Sequence, residues 1–291
     1  MRCSPCLAIL LVPFVAAPTY SQERARPPII DMHLHASGAR SQGPPPRQIC
    51  APFERFPLRD PREGAKSLDD SGQQFEGLTK NDLCETTLLS PADNDEMMER
   101  TLTLLEKYNI TAVTSGPLVD KWRDAGGQRI IPAYGFFDPA YMPPLPQIKK
   151  WLTQGRFRAI AEIGWQYAGL APDASVLAPY FELAEELDVP MGIHMGPGPP
   201  GAPYVGFYKY RAALSSPLLL EDVLIRHPKV RVWIMHAGYP LLDDTIALLY
   251  THPHVYVDTG IIGFFNAPPR LLSLSARPDR SWIRRSHHVR I

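Results

Sequence analysis

The chain carries no excess charge of either sign: 30 Lys and Arg stand against 30 Asp and Glu over 291 residues, with a pI near 7.1. Such a balance leaves no basic footprint for nucleic acid or for an anionic membrane surface. Cysteine is scarce, four in all. Cys50 and Cys84 have neither a CxxC partner nor a neighbouring histidine, so they lack the pattern of a thiolate metal site. The apolar run Cys6 to Ala17 is short for a span of roughly 30 Å of hydrocarbon, so an uncleaved membrane anchor is the weaker reading of it. Proline is abundant, 32 residues in all, with clusters between 43 and 61 and between 196 and 203. The length suits one large α/β domain with long, stiffened loops.

Arg2, the short apolar run and Pro18-Thr19-Tyr20-Ser21 have the form of an export signal cleaved after Ser21. This predicts a periplasmic or secreted protein with no membrane attachment after cleavage. Cys3 and Cys6 leave with the signal. Cys50 and Cys84 remain together in one irregular segment, where a disulfide could stabilise the loop by ~3–4 kcal/mol. Two free buried thiols are the alternative.

The first strand is expected over Pro28–His35, followed by a Gly/Pro/Asp/Arg-rich stretch at 37–92 of the size that serves as a functional loop. Asp93 and Glu96 have the spacing of a capping box and open a helix whose apolar stripe is Met98, Leu102 and Leu105. Strands then read at Ile110–Ser115, Arg129–Phe136, Arg158–Gly164, Val189–His194, Val230–His236 and His254–Asp258. Helices read at Pro146–Gln154, Val176–Leu187, Leu218–Arg226 and Leu241–Tyr250. Repeated β–α units imply a parallel sheet. With polar residues at the strand ends, the fold predicted is a (β/α)8 TIM-type barrel in the α/β class. A doubly wound open sheet is second, since the place of its glycine-rich phosphate loop holds His33-Leu34-His35.

The eighth strand is missing or altered. A barrel domain over 22–265 gives way to a basic stretch at 266–291, which includes His287 and His288. It reads either as a solvated tail or as a domain cut short, as by a shifted reading frame. The second is favoured, because a barrel lacking one strand has two open edges.

Five polar residues end the apolar strands: His33 and His35, Glu162, His194 and His236. Positions i and i+2 of a strand share a face, so His33 and His35 converge, and a carboxylate with more imidazole from parallel strands completes a metal site. Asp31-x-His33-x-His35, Ala161-Glu162-Ile163-Gly164, Gly192-Ile193-His194 and Met235-His236-Ala237-Gly238 together resemble the amidohydrolase superfamily, in its amidohydrolase-related branch of metal-dependent TIM-barrel hydrolases. The resemblance implies that His33, His35 and His194 are metal ligands and that Glu162 bridges two metals. It makes His236 a second-metal ligand or, with one metal, a residue that orients substrate or shuttles a proton. Zinc, as one or two ions, is the expected cofactor.

The family's strand-eight aspartate, a ligand and general base, has no counterpart. Asp258 is the nearest substitute in sequence, but on strand seven it more readily caps a turn or accepts from backbone N–H groups than acts as a base. Asp31 supports a ligand or bonds the neighbouring strand. His227 and His252, each before a proline, read as helix C-terminal caps facing water, and His254 starts a strand. Substrate determinants are expected in Trp165, Gln166 and Tyr167 and in the 197–204 loop, with Arg211 either meeting an anion or solvated. The activity implied is hydrolysis of a small-molecule C–N or C–O bond by metal-activated water. A non-oxidative decarboxylase of the same superfamily and a non-catalytic metal-binding remnant are the alternatives. The partner is a small-molecule substrate, and a homo-oligomer is left open.

Overall fold

The computed structural model describes residues 27–41, 45–46, 48–50, 87–198, 201–204 and 206–262. The segment 1–21 expected to be an export signal, Cys84 with its expected disulfide, and the basic stretch at 266–291 fall outside them. Strand β1 (Ile29–His35) is followed by a short antiparallel pair, β2 (Gln48–Cys50) and β3 (Thr87–Leu89), inside the stretch expected to be irregular. Then come α1 (Asn94–Lys107), β4 (Ile110–Ser115), α2 (Val119–Gly126), β5 (Ile130–Phe136), α3 (Leu145–Thr153), β6 (Ala159–Ile163), α4 (Ala178–Glu186), β7 (Met191–His194), α5 (Glu221–Arg226), β8 (Val232–Met235), α6 (Leu242–Thr251) and β9 (Tyr256–Val257).

The large sheet runs β1-β4-β5-β6-β7-β8-β9, and every pairing in it is parallel. It curls into an incomplete TIM barrel, as the β–α alternation implies. Among the described residues there is no eighth strand, so β1 pairs only with β4 and β9 only with β8.

Local chemistry explains the elements. Asp93 caps α1 by accepting from the N–H groups of Asp95 and Glu96, both at 2.9 Å. Glu96 closes the box one residue further out than expected, on Ala92 N–H at 2.7 Å. Helix α2 was not foreseen. It buries only Val119 and Trp122, and two anchors three residues apart are too short a stripe to stand out as a period. Several strands are shorter than expected at their starts; β7 begins at Met191 because Pro190 has no N–H for the ladder.

Alternation along each strand divides the core in two. One set, including Ile160, Ile163, Met191, Ile193 and Ile234, packs outward on Trp122, Ile148, Leu177, Phe181 and Leu248. The barrel interior is small-walled: Val113, Ala133, Ala159 and Ala161 surround Trp233 and Met235. Gly192 belongs to that interior, where a Cβ would lie 2.3 Å from the Trp233 ring. The indole therefore fills space that only glycine leaves. His227 and His252 occupy the C-cap positions of α5 and α6 as expected. They do not face water, however. Their side chains are mostly buried and pair with Glu185 at 3.4 Å and Glu221 at 3.5 Å, and His227 stacks on Phe181. No described helix is long and apolar enough to cross a membrane.

Candidate metal centre

The five strand-end residues meet at the C-terminal mouth of the curled sheet, with the Glu162 carboxylate at the middle. Its Oε2 lies 3.3 Å from His35 Nε2 and 3.6 Å from His33 Nε2. Its Oε1 lies 3.4 Å from His236 Nε2 and is hydrogen-bonded to His194 Nδ1. His236 Nε2 is also 3.2 Å from His194 Nδ1.

Each strand contributes a local feature. The ladder between β1 and β4 shifts register between Asp31 and Leu34, and His33 and His35 emerge beyond it on one face. Asp31 holds this turn of chain by accepting from His33 N–H at 2.9 Å. Glu162 sits in a register shift between β6 and β7. Strand β5 approaches it closely at Gly135, where a Cβ would come within 2.6 Å of the Glu162 nitrogen. His236 follows β8 directly, with φ of 59°, and Ala237 follows with φ of 47°. Two successive non-glycine residues in the left-handed region cost on the order of 1 kcal/mol each and persist only where the surroundings fix them. Here Asp258 Oδ1 accepts from His236 N–H at 3.0 Å, and Thr245 donates to the Ala237 carbonyl at 2.9 Å.

The outward nitrogens settle which way the imidazoles point. His236 Nδ1 is 3.0 Å from the Gly260 carbonyl, which can only accept, so Nδ1–H donates to it and Nε2 faces Glu162. His33 Nδ1 is 3.2 Å from Asp258 Oδ1, and His35 Nδ1 is 3.3 Å from Ser115 Oγ. Three imidazoles thus turn Nε2 inward while Nδ1 is engaged behind, the arrangement that orients histidines on metals. His194 presents Nδ1 instead, and its backbone carbonyl accepts from Gln166 Nε2 at 3.0 Å.

Burial and charge act against each other throughout. Burial pushes the Glu162 carboxyl up, but His194, His236 and His33 outweigh it and hold the group well below the usual carboxylate range. Burial lowers His33, yet Asp258 and Glu162 on its two sides prevail and raise it to about 10. His194 goes the other way: burial keeps it below the ordinary value despite Glu162, which favours the neutral ring. Asp258 is held low, its burial overcome by His33 and His236.

Two overlapping donor sets result, His33–His35–Glu162 and Glu162–His194–His236, each with ligand atoms within 4.8 Å of one another. Imidazole nitrogens with a carboxylate oxygen suit a divalent ion of the zinc kind. The residues present therefore fit such an ion, and the sets share Glu162.

A family model described as Amidohydrolase matches residues 30–278. The chain belongs to the amidohydrolase family. The match runs past residue 265 into the basic stretch. Among solved structures, the chain is similar to an uncharacterised TIM-barrel protein of Bordetella bronchiseptica: 14% identity, TM-score 0.51, covering 66% of this chain and 68% of that one. A 4-oxalomesaconate hydratase from Rhodopseudomonas palustris aligns at 18% identity and TM-score 0.41 over 86% of this chain and 78% of that one. A 5-carboxyvanillate decarboxylase from Sphingomonas paucimobilis aligns at 13% identity and TM-score 0.41 over 66% and 77%. No curated protein matches.

The chain uses the residues after Glu162 differently from the expectation. Trp165 is buried against Phe181, and Gln166 is buried on the His194 carbonyl, so both support the site from behind. Only Tyr167 reaches toward the mouth, its ring edge-on to His194 at 5.4 Å between centroids, beside Phe207 and Phe137. Arg211 donates to the carbonyls of Tyr208 and Tyr210 at 3.0 and 2.7 Å. Asp258 does accept from backbone N–H groups as expected, but it also contacts His33, which the sequence reading did not assign. The signal was present, since Asp258 ends an apolar strand just as the other site residues do.

Proposed function

We propose that this amidohydrolase cleaves a C–N or C–O bond of a small molecule by metal-dependent hydrolysis. The observation that carries the reading is the sharing of Glu162 between two donor sets. His33 and His35 would hold one ion with Glu162, and His194 and His236 a second. A divalent ion there would lower the pKa of a water it holds to about 7 and polarise a carbonyl or ester. The protein groups do the rest: Glu162 is kept ionised by its imidazoles, and Gly260 fixes the tautomer of His236. We propose zinc as the ion, since it suits the donor set, and export, on the signal-like pattern of residues 1–21.

A second reading is favoured by that fixed tautomer. With one ion on His33, His35 and Glu162, His236 Nε2 is free to carry a proton, as a non-oxidative decarboxylase needs. The ratio of ions to chains decides between them. Elemental analysis of the purified, desalted chain is expected to give close to two divalent ions, lost on His33→Ala or His194→Ala. One ion, with His236→Ala leaving it in place, supports the decarboxylase. A folded chain that holds no metal refutes both.

A further inference from the structure

We infer that the segment Asp258–Gly260 is a positioning element that orients one imidazole of each donor set and clasps β1 to the end of β9, the two strands that have no second neighbour among the described residues. This rests on the metal reading above. Asp258 stands just beyond β9, at one edge; His33 stands on β1, at the other; and β1 and β9 do not pair with each other. The contact of 3.2 Å between Asp258 Oδ1 and His33 Nδ1 joins these two sides of the described sheet.

The carboxylate is fixed by other groups, and His33 completes its set. Its Oδ1 accepts from Gly260 N–H at 2.9 Å and His236 N–H at 3.0 Å, and its Oδ2 accepts from Trp233 Nε1–H at 3.2 Å. Two backbone amides and an indole set in the barrel interior leave little freedom to an acceptor that is itself 9% exposed. Gly260 contributes twice. Its carbonyl takes the Nδ1 proton of His236. Its missing side chain makes room for His33, since a Cβ would lie 2.5 Å from His33 Nδ1. Three donors converge on Oδ1 and the Trp233 indole holds Oδ2, so the role this geometry supports is to hold ligands. The segment therefore does from the seventh strand what a ligand-orienting carboxylate on a closing strand would do: it couples sheet curvature to ligand geometry.

The test is zinc affinity of the full chain, by chelator competition at fixed pH, for the unmodified protein, Asp258→Asn and Asp258→Ala. Asp258→Ala is expected to weaken zinc binding by about 10–100-fold. Asp258→Asn, which keeps an oxygen for His33, should recover part of that loss. The second measurement needs no variant: nitrogen-15 histidine NMR of the zinc-loaded chain should show His33 protonated at Nδ1 and coordinating through Nε2. Asp258→Ala that keeps its circular dichroism and binds zinc like the parent overturns the inference while leaving the metal reading intact. Coordination of His33 through Nδ1 overturns it equally, even where the alanine variant does not fold. An unmodified chain that binds no zinc overturns the metal reading, and this inference with it.

Discussion

Metal uptake should expel a proton from His33. In the metal-free chain this imidazole lies between Asp258 and Glu162, which raise it to about 10 against the effect of burial. At pH 7 its Nε2 is therefore protonated, and an ion seated there must displace that proton. Three pH units below the raised value correspond to about 4 kcal/mol, or roughly a thousandfold, by which proton competition weakens the ion's affinity at pH 7. Glu162 is already ionised and His194 already neutral, so neither adds a proton. Calorimetric titration of zinc in two buffers of different ionisation enthalpy should report release of the His33 proton for the ion at this set. Affinity should then rise close to tenfold per pH unit toward about 10. The stability of the metal-free chain should show the opposite trend. A group whose folded pKa is raised contributes stability fully present below its unfolded value of 6.5 and lost as pH approaches about 10. Thermal midpoints of chelated protein should accordingly fall between pH 6.5 and 10. No proton release, with affinity flat in pH, would show that His33 is neutral in the metal-free chain and that the two-carboxylate argument is wrong.

Other substitutions test the framework. Glu162→Gln removes the shared carboxylate, and elemental analysis should show both donor sets losing metal together; loss of one ion alone would argue against a bridging role. Gly135→Ala forces a Cβ onto the backbone at Glu162 and should destabilise the fold by about 1–3 kcal/mol in denaturant unfolding. Phe181→Ala empties a site that is 1% exposed beneath Trp165 and His227, at a cost of ~3–5 kcal/mol by the same measurement. Asp93→Ala leaves the first N–H groups of α1 unpaired and should cost ~1 kcal/mol.

What could be read in advance depended on how local the cause was. His33 and His35 share a face because they are two residues apart on a strand, and that spacing needs no tertiary information. Glu162, His194 and His236 were legible because each ends an apolar run, so the strand pattern located them. Asp258 ends such a run too, but its role comes from the curl of the sheet, which brings residue 258 against residue 33. Nothing between adjacent residues encodes that meeting. Similarly, the His-Pro pairs fixed His227 and His252 as caps, while their glutamate partners, 42 and 31 positions away, decide that the rings are covered. Helix α2 escaped notice because its burial rests on Val119 and Trp122 alone.

The order in which the donors appear along the chain has a consequence for biogenesis. During synthesis His33 and His35 emerge first and stay incomplete until Glu162 follows well over a hundred residues later. The second set waits for His236, and the clasp on His33 closes a contact 225 residues apart in sequence. Closing so long a loop is slow and is rewarded only when the intervening strands have paired. An ion that arrives early finds two histidines on an edge strand and nothing to hold them. The five-residue centre is thus complete only after β8 and its clasp only after β9, so metal retention is a reporter of late folding as well as of chemistry.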